Sequence, residues 1–318
     1  MVANPPPSDT QNTAPVYSLG RHLKKLYGRR LRRVMLDLGL TCPNRDGASG
    51  FGGCIYCDLS GSGTGAERKG LPLLEQWESE LKRVRRVNTD DPAAILYFQS
   101  YSNTYPDLAP LQEGLKIASQ WSTIAPIVSI GTRPDCFSEE AAELLAKSRS
   151  HFDEVWVEFG LETAQDAVQK RIGRHDTLEH FHRACELAHQ HGLGIIAHCM
   201  SGLPGDSDES LLEQVAEIRK ARAHGVKFHQ LMVLKKTLLA HQFLNGQDDI
   251  HILKHQDYID RVADALEHLP ADVVVHRLVA ESPIEERLAP LDWPSRQAVH
   301  SAIENELIRR GTRQGSAL

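Results

Sequence analysis

The sequence predicts an α/β protein with an open, partial (β/α)6 barrel of the TIM type and a C-terminal α/β extension. From about residue 33, short apolar runs alternate with longer amphipathic stretches, which is typical of a parallel sheet. Only six such units are found, too few for a closed eight-stranded barrel. The alternation stops after residue 240. We therefore expect a disordered tail over residues 1–20, the barrel over 21–240 and a capping extension over 241–318.

The strands are predicted from their composition. Each is a short apolar run, as expected where helices or other strands cover both faces of a parallel sheet. Their positions are 34–38, 95–98, 127–130, 155–157, 194–197 and 231–234.

The helices are predicted from apolar spacing and from end signals. The stretch 177–191 places Phe181, Ala184 and Leu187 at helical spacing and stops before Gly192, a residue that often ends helices. The other helices of the barrel are expected at about 71–88, 108–120, 138–148 and 207–224, and the extension should contain a helix at 252–268, a strand at 273–278 and a helix at 296–310.

A glycine-rich loop after the first predicted strand, TCPNRDGASGFGGCIYCD, contains three cysteines. Eleven residues separate Cys42 from Cys54 and two separate Cys54 from Cys57, so the thiolates can converge on one centre. Three thiolates can hold three irons of a 4Fe–4S cluster and leave the fourth iron open to another ligand. The glycines allow the backbone to wrap closely around such a cluster.

A zinc site and a disulfide are the alternatives for these cysteines. A structural zinc site usually has four ligands, but the nearest histidines on either side, His22 and His151, are far away in the sequence. Six cysteines in 318 residues are too few for a disulfide scaffold, and the N-terminus lacks the pattern of a signal peptide. No apolar run is long enough to span a membrane. These features predict a cytoplasmic protein without a membrane segment.

The cysteine motif carries a family resemblance. Cys54, Tyr56 and Cys57 resemble the Cys-x-aromatic-Cys end of the radical S-adenosylmethionine (radical SAM) signature, although the usual three residues between the first two cysteines are eleven here. The sequence pattern CPNRDG…GGCxxC resembles that of the YhcC-like subfamily of bacterial proteins. Further segments resemble that subfamily in the same order: FQSYSNTY (98–105), IGTRPD (130–135), VWVEFGLET (155–163), RIGRHD (171–176) and GLPGD (202–206).

The resemblance implies an enzyme whose three cysteines bind a 4Fe–4S cluster and whose open iron binds S-adenosylmethionine. Reductive cleavage of that cofactor would give a deoxyadenosyl radical that abstracts hydrogen from a substrate, with a flavodoxin or ferredoxin as electron donor. The expected cofactor contacts are Tyr56 near the adenine, Ser100, Ser102 and Asn103 at the amino group, Glu162 and Thr163 at the ribose, Arg174 at the carboxylate, and Gly202, Pro204 and Gly205 at the adenine wall.

Ordinary structural roles are the alternatives for several of these residues. Glu162 and Arg174 could form a surface ion pair, and residues 202–206 could be a simple turn between a strand and a helix. Packing in the core is expected for the three remaining cysteines, Cys136, Cys185 and Cys199.

The charge distribution suggests one possible partner. The net charge of −6 argues against nucleic acid, but residues 21–33 hold seven Lys or Arg and no acid, and KRVRR follows at 82–86. A solvated face is one interpretation. The other is an RNA-binding edge, because the loop and motifs also resemble the radical domain of the Elongator catalytic subunit, which acts on tRNA wobble uridines. The candidate RNA contacts are Arg29, Arg30, Arg32 and Arg33.

The sequence therefore predicts a radical SAM enzyme with tRNA as the first candidate substrate. A small-molecule substrate and a non-catalytic iron–sulfur or zinc protein are the alternatives, since one barrel fold hosts many chemistries.

Overall fold

The computed structural model describes residues 14–58, 61, 66, 70–87 and 92–318. Its centre is one curved, seven-stranded parallel sheet that forms a half-barrel, which confirms the predicted fold class. In spatial order its strands are β1 (Arg32–Leu36), β2 (Ala94–Phe98), β3 (Ile127–Thr132), β4 (Glu154–Glu162), β5 (Gly194–Ser201), β6 (Gly225–Gln230) and β8 (Val274–Arg277). A separate antiparallel pair joins β7 (Val233–Leu234) to β9 (Arg287–Ala289).

Helices cover the outside of the sheet. The long ones begin and end close to their predicted positions, although residue 88 of the predicted helix 71–88 lies outside the described residues. In the described part of the chain no helix combines the length and apolarity that a membrane span requires. The helices are α1 (Leu19–Tyr27), α2 (Pro43–Asp46), α3 (Leu73–Val87), α4 (Ala109–Ser119), α5 (Glu139–Ser148), α6 (Asp166–Arg171), α7 (Leu178–Gln190), α8 (Ser210–Lys220), α9 (Leu238–Leu244), α10 (His255–Glu267) and α11 (Arg296–Arg310).

The two faces of the sheet differ in polarity. Side chains alternate between faces along a strand. On the outer face, Val157 and Phe228 are buried against the helices in the main hydrophobic core. On the inner face, Glu158, His198 and Lys227 form polar contacts with one another. The inside of the half-barrel is therefore polar.

The position of the sixth strand was predicted wrongly. The sequence pattern placed it at 231–234, but β6 ends at Gln230. The true strand is interrupted by polar residues because Lys227 and His229 face the polar interior, while Val226 and Phe228 alone face the helices. A search for continuous apolar runs misses a strand of this kind.

The N-terminal segment completes the barrel. Val16 is 1% exposed, and Val275 of β8 donates a backbone hydrogen bond of 2.9 Å to Tyr17, next to a bridge between Ser18 and Val275. Residues 14–20 are thus ordered against the last strand, although the expected disordered tail included them. Residues 1–13 of that tail lie outside the described residues. Helix α1 then covers the end of the barrel where the strands begin, and its Leu23 packs there in a cluster with Ile95 and Ile127.

Gln314 joins this segment to the C-terminus. Its Oε1 accepts from the Tyr17 N–H at 2.9 Å, and its Nε2 donates to the carbonyls of Pro270 and Val273, both at 2.7 Å. The side chain is buried, so water cannot replace these hydrogen bonds.

We expect Gln314→Ala to lower the free energy of unfolding by about 1–3 kcal/mol, because it leaves buried backbone groups without partners. Urea denaturation followed by circular dichroism measures this. Gln297→Ala on the exposed face of α11 is the control, since the Gln297 side chain has only a 3.4 Å contact with Ser301. Equal stabilities of the two variants would contradict the role of Gln314.

Candidate functional site

The predicted motifs meet at one edge of the sheet. The cysteine loop follows β1, and the segments that contain Ser102, Arg133, Glu162 and Gly202 follow β2, β3, β4 and β5. Because the strands are parallel, these segments all lie at the carboxyl ends, where barrel enzymes place their active sites.

The cysteine loop folds back on itself. Helix α2 begins directly after Cys42 and ends at Gly47, which has the left-handed φ of 95° that glycine tolerates. Burial first, and with it the nearby charge of Cys54, raises the pKa of Cys42 and raises that of Cys57 to about 12. All three thiols therefore lie close enough to interact, with the eleven-residue insertion folded between the first two.

Asn44 attaches the loop to the rest of the barrel. Its Nδ2 donates to the carbonyls of Gly173 and Arg174, at 2.9 and 2.7 Å, and lies 3.5 Å from the sulfur of Cys54. The Ile55 N–H donates to the Ile172 carbonyl at 2.9 Å. The RIGRHD segment thus fixes the position of the second half of the loop.

Three arginines surround the thiols. Arg45 Nη2 lies 3.3 Å from the Cys57 sulfur. The charges of Arg133 and Arg174 favour a thiolate at Cys42, against the effect of burial. Arg133 is also held by Asp135, at 2.6 and 2.8 Å. Sequence reasoning missed Asn44, Arg45 and Arg133 as site residues, although the motifs that contain them were recognised.

Arg174 and Glu162 form a buried pair. Arg174 Nη1 lies 3.9 Å from Glu162 Oε1, with side chains 7% and 13% exposed, so this is not the surface ion pair that the sequence left open. Arg174 Nη2 donates to the Gly160 carbonyl at 2.6 Å, while its buried Nε has no partner among the described residues. Burial, and after it Glu162, raises the pKa of Tyr56, which places that ring beside the pair.

The polar residues after β2 have different environments. The Ser102 hydroxyl lies 2.8 Å from that of Thr132, and Asn103 Nδ2 donates to the Gly131 carbonyl at 2.8 Å. These two side chains brace the ends of β2 and β3. Ser100 Oγ and Asn103 Oδ1 are buried without a partner in the described part of the chain, so these two oxygens are available to a ligand.

The GLPGD segment is a turn closed by Asp206. Asp206 accepts from the Leu203 N–H at 3.2 Å and from the Thr163 hydroxyl at 3.4 Å. Gly202 has a φ of 87°, and a Cβ there would lie 2.7 Å from Leu253. Thr163 and the turn, with Pro204 and Gly205, therefore have structural roles whether or not they contact a cofactor.

The remaining cysteines are separate from this loop. All six cysteines are free, so the disulfide alternative finds no support. Cys185 and Cys199 are buried in the core, and the sulfur of Cys136 lies 3.5 Å from Asp135.

The residues at this edge suit a 4Fe–4S cluster better than a single ion. No group of three His, Cys, Asp or Glu side chains in the described ranges is close enough to hold one metal ion. A cluster of four irons spans a wider space and needs three thiolates at its corners. The unpartnered Ser100 Oγ and Arg174 Nε add polar groups for a second ligand beside it.

The basic segment lies at the opposite end of the barrel. Arg29, Arg30 and Arg32 precede or begin β1, whereas the cysteine loop follows it. Arg33 points into the barrel, where its Nη2 lies 2.9 Å from His276 Nδ1. These four arginines therefore lie away from the cysteine loop, and their role as RNA contacts stays a prediction. The second basic run reaches the same end, since Arg83 donates to the Arg33 carbonyl at 2.9 Å.

Comparisons with known proteins give consistent results. The model of the Radical SAM superfamily matches residues 42–218, and that of the Radical SAM C-terminal domain matches residues 223–309. Protein YtqA of Bacillus subtilis is 31% identical over 99% of this chain and 96% of its own length. Protein YhcC of Escherichia coli is 30% identical over 95% of each chain, in agreement with the predicted subfamily.

More distant relatives share only part of their length. A tRNA uridine(34) acetyltransferase of Methanocaldococcus jannaschii is 24% identical over 56% of this chain and 32% of its own. The structure of Elp3 from Methanocaldococcus infernus superposes with a TM-score of 0.69 at 16% identity, covering 89% of this chain and 64% of that one. It shares the fold.

The superfamily model covers more than half of the chain, from Cys42 onwards. Members of this family use a 4Fe–4S cluster and S-adenosylmethionine. The chain belongs to the radical SAM superfamily and is an enzyme of that family.

Proposed function

We propose that Cys42, Cys54 and Cys57 hold a 4Fe–4S cluster and that this enzyme cleaves S-adenosylmethionine reductively. The observation that carries the proposal is the convergence of three thiols at the carboxyl end of the half-barrel, beside a buried arginine with an unpartnered Nε. When bound there, the cluster would supply the electron for reductive cleavage of S-adenosylmethionine, and the resulting radical would abstract hydrogen from the substrate.

The surrounding side chains bind and orient the cofactor. Arg174 pairs with its carboxylate through the free Nε, and Ser100 accepts a hydrogen bond from its amino group. Glu162 bonds to the ribose hydroxyls, and Tyr56 lies against the adenine. The positive charge of Arg45 stabilises the thiolate of Cys57.

An external protein, a flavodoxin or a ferredoxin, supplies the electron. The tip of the cysteine loop supports this proposal because Phe51 is 85% exposed and lies between Cys42 and Cys54 in the sequence. A redox partner that docks there comes close to the cluster without entering the barrel.

We further propose tRNA as the substrate. The similarity to a tRNA uridine(34) acetyltransferase over the radical domain supports it. The basic segment at the far end of the barrel is compatible with it if the RNA runs along the side. The RNA would have to follow the length of β1, which separates the basic segment from the cysteine loop. This strand has five residues and spans about 16 Å, the length of about five base pairs of a B-form duplex.

A phosphorylated small molecule is the second candidate substrate. It is favoured by the positively charged interior of the barrel, where Arg33 and Arg277 lie beside Lys227.

Anaerobically reconstituted protein should contain about four irons and four sulfides per chain. Replacing Cys42, Cys54 or Cys57 by Ala should abolish this content because each thiolate holds one iron. Iron and sulfide assays with the absorbance spectrum measure it. Cys136→Ala is the control and should keep the cluster. Stoichiometric zinc without iron would contradict the assignment.

Arg174→Gln should weaken binding of S-adenosylmethionine by about 1–3 kcal/mol, because the charge-assisted bond to its carboxylate is removed. Isothermal titration calorimetry under anaerobic conditions measures it, after iron assays show that the cluster is intact. Arg171→Gln is a matched control from the same motif, since Arg171 pairs with Asp249 at 2.5 Å and does not belong to the site. Unchanged affinity in Arg174→Gln would show that Arg174 is only structural.

The affinity for tRNA should fall steeply with salt if the basic segment binds phosphates. Changing Arg29, Arg30 and Arg32 together to Ser should flatten the log–log salt slope by about one unit for each phosphate that is no longer neutralised. Filter binding at several salt concentrations measures the slope. The control has the same change in charge at exposed positions elsewhere, namely Lys116, Lys147 and Arg183 to Ser.

Two results would contradict tRNA as the substrate. One is the absence of binding at low salt. The other is equal salt slopes for the two triple variants, which would make the basic segment a solvated face.

A further inference from the structure

A polar layer lies inside the half-barrel, below the candidate cofactor site. At its centre is Glu158, which is fully buried. Ser129 donates to Glu158 Oε1 at 2.7 Å, His198 Nε2 lies 2.7 Å from Oε2, and Lys227 donates to the same Oε2. Both carboxylate oxygens are therefore engaged by neighbouring strands, and this carboxylate balances the charge of Lys227 alone.

Two further cations share the layer without a carboxylate. Arg33 lies 5.8 Å from the centre of the Tyr97 ring and contacts His276, and its buried Nε lacks a partner among the described residues. Arg277 is the register partner of Lys227 on the adjacent strand. Within the described ranges neither arginine forms an ion pair. Like charges on neighbouring strands repel, so this arrangement is unfavourable without an anion.

Neutral donors complete the layer. His198 and His229 stack with ring centres 5.4 Å apart, and His229 Nε2 is buried without a partner in the described part of the chain. Burial, and after it the charge of Arg277, lowers the pKa of His229, so the ring is uncharged at neutral pH and can donate one hydrogen bond.

Some residues of the layer are partly exposed. The His198 side chain is 20% exposed although it lies on the inner face of a central strand. His276 and Arg277 on the last strand are also partly exposed, whereas Glu158 and Lys227 are buried. Solvent therefore reaches part of this layer.

The charge balance identifies the ligand. Three cations, Lys227, Arg33 and Arg277, face one carboxylate, Glu158, which leaves 3 − 1 = +2. Buried charges require partners, and arginine binds the oxygens of a phosphate through paired N–H groups. We propose that this layer binds the doubly charged phosphate monoester group of a small-molecule substrate, the second of the two candidate substrates. A carboxylate or an RNA phosphodiester carries one charge and would leave one cation unbalanced.

The position of the site fits a substrate that spans the barrel. Glu158 and Glu162 lie four residues apart on β4, at most about 13 Å, with a register shift between Gly160 and Glu162. A molecule with its phosphate in the layer would extend towards the thiols and present its far end to the cofactor. The claim that the bound phosphate belongs to a substrate rests on the proposed radical chemistry. The claim that the layer binds phosphate is independent of that chemistry.

The test uses the full chain without cluster or cofactor. Thermal unfolding is followed in chloride buffer with added inorganic phosphate, ribose 5-phosphate or dimethyl phosphate at equal ionic strength. Ribose 5-phosphate should raise the melting temperature more than inorganic phosphate, and dimethyl phosphate, a monoanionic diester, should have little effect.

Arg277→Gln is the test variant. It should melt higher than the wild type in chloride, because it removes an unbalanced charge, and it should bind ribose 5-phosphate roughly tenfold more weakly. Lys147→Gln is the matched control, since Lys147 is 76% exposed, pairs with Glu143 on the surface of α5 and should change neither property.

Three results would overturn the proposal: no response of the wild type to millimolar monoester, an equal response of Arg277→Gln, or a response to inorganic phosphate without one to the monoester. Cleavage of S-adenosylmethionine by the reconstituted wild type is assayed separately. Its failure alongside normal phosphate binding would contradict the radical function and leave the anion site in place.

Discussion

The burial of the Glu158 carboxylate is the constraint on which the inside of this half-barrel depends. It bonds to Ser129 of β3, His198 of β5 and Lys227 of β6, so a single side chain on β4 links the inner faces of four strands. A buried ion pair of this kind adds little net stability, but losing one partner costs about 3–5 kcal/mol because the other charge remains buried. The polar interior is therefore maintained as a unit, and an apolar core could not replace it without filling the cavity.

The cysteine loop depends on the barrel for its shape. A single short helix, α2, is its only regular element among the described residues, and hydrogen bonds to the segment after α6 hold it in place. Asn44 and Ile55 make those bonds from the two halves of the loop. This explains how eleven residues can separate Cys42 from Cys54, where three are usual, without moving the thiols apart. The inserted residues also supply Arg45, a cation beside Cys57.

Whether a strand was placed correctly from the sequence depended on the polarity of its inner face. Strand β2 is buried at every position and was found within one residue, whereas β6 was misplaced because Lys227 and His229 interrupt it. The cysteines were recognisable because their spacing is local. The end of the barrel on which Arg29 and Arg30 lie depends on strand direction and could have been inferred, but the inward turn of Arg33 depends on contacts with a strand more than 240 residues away.

Gly160 connects the two polar levels of the barrel. It lies on β4 between Glu158 and Glu162, and a Cβ there would lie 2.5 Å from Glu162 Oε1 and 2.7 Å from Arg174 Nη2. The missing side chain leaves room for these two atoms and lets Arg174 reach the Gly160 carbonyl. Glycine at this position therefore allows the arginine to be fixed beside the thiols, on the same strand that carries Glu158 of the cationic layer.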